Sequence, residues 1–201
     1  MEINTSSRRD LWLLTAAWAA GLVLSGLSPH DRLTWVMEVL PAVIAWPLLW
    51  GTRQRFAFST WVYAAIAVHG LILMYGGAHT YARVPLGFWL QDILGTQRNP
   101  YDKIGHFAQG FVPALVAWEL LVRKFRLPRG MLTGFLSVCI CLAISATYEL
   151  VEWWAALAMG QGADEFLGTQ GDQWDTQSDM FLALIGAVAA QPFAAMIARR
   201  R

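Results

Sequence analysis

Six apolar runs, each close to the ~20 residues that a helix needs to cross a bilayer, recur from one end of the chain to the other. They cover residues 11–27, 33–50, 58–77, 104–121, 131–159 and 179–198. Hydrocarbon offers backbone N–H and C=O groups no partner outside their own segment, so a chain of this pattern is held to helices. Hydrophobic residues make up 56% of the chain and charged residues 14%, which fits a membrane bundle rather than a soluble core. The expected fold is all-α: a single integral membrane domain over residues 1–201, a bundle of about six transmembrane helices with no internal repeat. The fifth run is longer than a bilayer requires. From Tyr148 onward it is expected to tilt or project to the interface, with Trp153 and Trp154 in the aromatic belt.

The basic residues set the orientation. Arg8 and Arg9, Arg53 and Arg55, Arg123, Lys124, Arg126 and Arg129, and Arg199 to Arg201 fall in alternate connections, and the other loops hold Arg32, Arg83, Arg98 and Lys103. With six spans, the Arg-rich segments share one side, and the positive-inside rule puts both termini in the cytoplasm. Arg8-Arg9 before an apolar run also resembles a twin-arginine export signal. Removing that span would leave five and spoil the alternation, so it is read as a retained helix. The net charge of +1 carries no nucleic-acid footprint, and membrane lipids are the expected surroundings. Cys139 and Cys141 fall on different faces of one helix, which argues against a disulfide or a metal pair.

Against this apolar background, many of the acids and a histidine gather in three short segments. Asp102 and His106 open the fourth run, Glu149 and Glu152 lie near the end of the fifth, and Asp175 and Asp179 open the sixth. Under the six-span topology all three places are at the outer face. The spacings are i,i+4, i,i+3 and i,i+4, so each pair shares a helix face and the three faces can converge. Gln109, Ser145 and Tyr148 accompany them with neutral hydrogen-bonding groups. Carboxylates held this close need a cation or bound protons, and mostly oxygen donors with one imidazole suit a divalent metal ion such as Mg²⁺, Mn²⁺, Ca²⁺, Zn²⁺ or Fe²⁺. The metal-ligand set read here is Asp102, His106, Glu149, Glu152, Asp175 and Asp179. Asp102 and Asp175 are equally readable as helix N-caps, and Lys103 as a structural ion-pair partner.

Other polar residues are weighed separately. His69 reads first as an interhelical hydrogen-bonder, and His79 as an outer-site residue or a solvent-facing one. The connection over 78–100 is too long for a plain link and suggests a lid or re-entrant piece. Glu119 is expected to pair with Arg123, and Glu38 stands isolated in the second run, outside the site.

The stretches Gly77–Pro85, Arg98–Pro113, Tyr148–Trp154 and Phe166–Met180 closely resemble the YjdF-like bacterial inner-membrane proteins. The resemblance implies a multi-pass protein of the bacterial inner (plasma) membrane and no particular reaction. A looser likeness is to the VanZ-like membrane proteins, whose pattern matches Asp102-Lys103 with His106-Phe107, Glu149, Asp179 and Gly186. It departs at Glu152, where that pattern has Gln, and at Ala183, where it has Asn.

Two function classes follow. One is a metal-dependent hydrolase or transferase acting at the outer leaflet on a lipid or envelope precursor, with Glu149 or Glu152 as the catalytic general base. The other is a non-enzymatic ion or proton binder, a small transporter or a structural envelope protein. The inner halves of the spans are nearly free of charge, which favours a one-sided site over a through-path.

Overall fold

The computed structural model describes residues 8–159 and 170–199. Glu2, Asp164, Glu165, Arg200, Arg201 and the part of the family motif over 166–169 lie outside the described residues. Seven helices are described: α1 (Arg8–Leu27), α2 (Arg32–Thr52), α3 (Thr60–Ala78), α4 (Pro85–Leu94), α5 (Tyr101–Arg123), α6 (Met131–Met159) and α7 (Asp175–Arg199). All but α4 are long and apolar enough to cross a membrane, and they coincide with the six runs read from the sequence. The two earlier helix starts matter for function. Because α5 begins at Tyr101 and α7 at Asp175, both i,i+4 pairs, Asp102–His106 and Asp175–Asp179, lie on regular helix.

Contacts fix the alternation of direction. α1 and α2 run antiparallel: the Trp35 indole donates to Ser25 Oγ at one end, and the Trp46 and Trp50 indoles donate to Thr15 Oγ1 at the other. α6 and α7 are likewise antiparallel, tied by Gln191 Nε2 donating to Ser137 Oγ at 3.1 Å. α5 and α7 run parallel and touch backbone to backbone. A Cβ added at Gly110 would lie 1.8 Å from the Ala183 carbonyl oxygen, and one at Gly186 would lie 2.1 Å from that of Phe107. Ala183, Ala187 and Ala190 complete this buried seam, the small-residue packing that membrane helices use where lipid gives no hydrophobic drive. On the opposite faces Leu13, Val23, Phe135 and Phe181 point outward, as lipid-facing side chains do.

The bundle's two ends are built differently. At the end holding Ser59 and Arg123, Glu119 pairs with Arg123 as expected, and it also accepts from the Ser59 N–H and hydroxyl at the start of α3. Arg123 lies over the Phe56 ring, 4.7 Å from its centroid. At the other end, the connection after α3 is a tight turn with Thr80 and Tyr81 both in the left-handed region, followed by α4. That helix has 10 residues, too short to cross, and it exposes Leu86, Phe88, Trp89 and Ile93. Its shortness and exposed apolar side chains suit a helix lying in the interface plane rather than one that crosses. Cys139 is exposed and Cys141 buried, on different faces as read.

Asp31 starts α2 by accepting the Thr34 N–H at 2.7 Å, and that bond holds its carboxyl below the ordinary aspartate value. The cap's contribution is therefore present above an ordinary pKa of about 3.9 and fades as the pH falls through the lowered one. Asp31→Ala is expected to cost about 1 kcal/mol, and Asp31→Asn only a small part of that. Thermal unfolding in detergent at neutral pH reads the difference.

Candidate functional site

The start of α5 is set by Asn99, whose Oδ1 accepts the Tyr101 N–H at 3.0 Å while its Nδ2 donates to the Val84 carbonyl. Asn99 also exchanges two backbone hydrogen bonds with the Gln170 amide, each 3.1 Å, which brings the approach to α7 alongside. Asp172 then accepts the Trp174 N–H at 2.9 Å, and α7 begins at Asp175. These turns are local, and their effect is to put the first turns of α5 and α7 side by side. The last turns of α6 arrive antiparallel to them.

His106 is the hub. Its Nε2 lies 3.3 Å from Asp102 Oδ1 and 3.7 Å from Asp179 Oδ2, and its Nδ1 lies 2.9 Å from Gln109 Oε1 and 3.9 Å from Glu149 Oε1. With Gln109 Oε1 accepting, Nδ1 carries the proton. In its neutral form the ring would turn an Nε2 lone pair toward the same point as two carboxylates. One ligand atom each from Asp102, His106 and Asp179 lie within 4.8 Å of one another. Two ligands bound at about 2.0–2.4 Å to one ion stand at most about 4–5 Å apart, so the three fit a single divalent cation. Glu149 is 7% exposed, and its Oε1 is buried without a hydrogen-bond partner beside this group.

The remaining acids take other places. Asp175 faces two cations, Arg98 at 2.6 Å and Lys103 at 3.2 Å, and Arg98 also holds Asp172 at 2.9 Å. Lys103 reaches on to Asp179 at 2.8 Å and donates to Ser178 Oγ at 2.6 Å. The ion-pair reading of Lys103 is the one observed, and Asp175 stands with it outside the converging three. Glu152 lies with Asp102 and His106 on the wall of a cavity of about 420 Å³. Of the two cap candidates, Asp102 turns its carboxylate to His106. His79 is turned away from the site: its Nδ1 is 3.0 Å from the Tyr75 carbonyl oxygen and its ring packs on Tyr75.

The sequence reading left Glu38 out, and the structure brings it in. Glu38 is 6% exposed, shares the cavity with Glu152 and His106, and accepts from the Tyr148 hydroxyl at 3.4 Å. The available signal was an acid inside an apolar run, together with a glycine to receive it: a Cβ at Gly77 would lie 3.0 Å from that of Glu38. His69 also lines this cavity, with its Nε2 buried and without a partner. Tyr81, swung in by its left-handed turn, fits its ring against Gly76 and Gly105, and burial holds its phenol pKa well above the ordinary value.

Six membrane-length helices around a buried group of acids and a histidine define a multi-pass membrane protein with a polar site at one end of its bundle. The chain belongs to the family described as "Predicted membrane protein (DUF2238)", which matches residues 11–200. It is 56% identical over 193 residues to the inner membrane protein YjdF of Escherichia coli (strain K12), covering 95% of this chain and 92% of that protein. The YjdF-like resemblance read from the motifs is thus shown, and the protein is a multi-pass protein of the inner membrane. The VanZ-like likeness rests on the short motifs alone. No solved structure matches the chain.

Proposed function

We propose that the chain is a divalent-cation-dependent enzyme of the membrane, a hydrolase or transferase acting on a lipid or envelope precursor at the outer face. The observation that carries this reading is the convergence of Asp102, His106 and Asp179 with the buried, unpartnered Oε1 of Glu149 beside them. A cation held there would polarise a ligand oxygen and neutralise charge developing on it. Asp102, His106 and Asp179 would hold the ion, and Gln109 fixes the imidazole tautomer by accepting from Nδ1. Glu149, or Glu152 on the cavity wall, would take the proton of an attacking water or hydroxyl. Lys103 and Arg98 position Asp179 and Asp175.

Two features support the sidedness and the class. The Arg-rich connections lie at the opposite helix ends, which by the positive-inside rule supports an outward-facing site with cytoplasmic termini. An ion or proton carrier would need polar groups along the rest of its route. Inward of His69 the cavity wall is instead largely apolar, with Trp46, Leu48, Leu49 and Val116, and Thr52 is its one hydroxyl.

Elemental analysis of protein purified in detergent from metal-replete cells tests the reading. Roughly one divalent ion per folded chain is expected for the wild type, as for a closed ligand set of this kind. Asp102→Asn, His106→Ala and Asp179→Asn should each lose it while keeping wild-type helicity by circular dichroism. Wild-type protein without stoichiometric metal, or triple-site variants that retain it, would overturn the proposal.

A further inference from the structure

The cavity that begins at the cluster continues well beyond it. On α2 its wall follows one helix face, Glu38, Ala42, Ala45, Leu49 and Thr52, at steps of three and four residues. At 1.5 Å per residue that stripe is about 20 Å long. On α5 the wall is Asp102, His106 and Gln109 and then, inward, Val112, Pro113 and Val116. Both stripes are polar at the same end, with acids, imidazole and amide, and become hydrocarbon inward, apart from Thr52 at the far end of the α2 stripe. Between the two zones lies His69, whose buried Nε2 has no partner.

We infer that this cavity takes one acyl chain of a membrane phospholipid, with the head group at the Asp102–His106–Asp179 cluster and the chain along α2 and α5. The inference rests on the proposed reading of the cluster and supplies its substrate class. Three observations choose this occupant. The cavity lies inside membrane-spanning helices, where the abundant apolar solute is lipid. Its volume of about 420 Å³ suits a chain, whereas a helix is about 10 Å across and would need several times that space. Its polarity is divided end to end, as an amphiphile's is, and the unpartnered His69 Nε2 falls just inward of the cluster, where it can donate to or accept from a lipid's ester and hydroxyl oxygens. An acidic wall repels a bare phosphate, so the head group would meet the cluster through a cation held by Asp102, His106 and Asp179.

Photolabelling tests this. The full chain is placed in nanodiscs of phosphatidylethanolamine and phosphatidylglycerol containing phosphatidylethanolamine with a diazirine near the end of one acyl chain. After irradiation, adducts are mapped by peptide mass spectrometry, and metal content is measured on the same sample. Adducts are expected on the inward-facing Leu49 and Val116, and their loss is expected in Ala45→Trp, which fills the cavity, with outward labelling of Leu40 and Ile44 retained. Val116→Phe is a second filling variant, read at Leu49, should Ala45→Trp fail to fold. Adducts confined to Leu40 and Ile44, or labelling of Leu49 unchanged by both filling variants, would overturn the inference. Metal retained without inward adducts sinks the lipid site alone, and inward adducts without metal sink the cation reading alone.

Discussion

Gly110→Val is expected to lower the thermal midpoint of the protein sharply and, on the proposed reading, to abolish metal binding, although Gly110 is not among the cluster residues. The atom that a side chain at 110 would meet is the Ala183 carbonyl oxygen, at 1.8 Å, and the matching contact from Gly186 is with the Phe107 carbonyl. Overpacking a core costs about 1–3 kcal/mol where side chains can shift. Here two parallel helix backbones must separate, which puts the effect at or above the top of that range. The same separation carries Asp179 away from Asp102 and His106, so affinity and stability fall together. Gly51→Val is the control, since a Cβ there meets nothing within 4 Å. Thermal unfolding and metal content measured on both variants decide the matter: an unchanged Gly110→Val protein contradicts the close crossing.

Lys103→Met is expected to cost up to about 3 kcal/mol in metal-free protein, the low end of the effect of stripping one partner from a buried ion pair, because Lys103 itself is only partly buried. Its ammonium lies 2.8 Å from Asp179, whose side chain is 3% exposed, and 3.2 Å from Asp175. Arg98 remains on Asp175 at 2.6 Å, so the loss falls chiefly on Asp179. Adding Asp179→Asn to Lys103→Met should therefore recover a large part of the stability, because the orphaned charge is gone. Denaturant titration of the two single variants and the double variant closes the cycle. Strict additivity would mean that the two charges do not act on one another.

The six spans were legible because a bilayer turns helix length into a sequence property, and runs such as 33–50 and 131–159 match α2 and α6 within two residues. The convergence of Asp102, His106 and Asp179 was legible for a related reason: fixed helical spacing and alternating direction leave few places for those side chains to go. The roles of Asp175 and Lys103 were not separable in the same way. A carboxylate that binds a metal ion and one that neutralises Lys103 look alike until the pairing across 72 residues is seen. Glu38 was missed because its companions come from α5 and α6 and none is near it in sequence. The cavity itself is a property of helix packing, and its polarity became readable only when the stripes of α2 and α5 faced each other.

The way the helices are paired has a mechanical consequence. α2 packs on α1 and α3, and α6 packs on α5 and α7, while α3 against α5 joins the two groups. Between α2 and α6 the Tyr148 hydroxyl reaches Glu38 across 3.4 Å. A hydrogen bond of that length is worth at most about 0.5–1.5 kcal/mol net, far less than an interlocked helix face. The two groups thus hold together mainly along the α3–α5 face, and across the cavity between α2 and α6 the tie is a phenol on an acid.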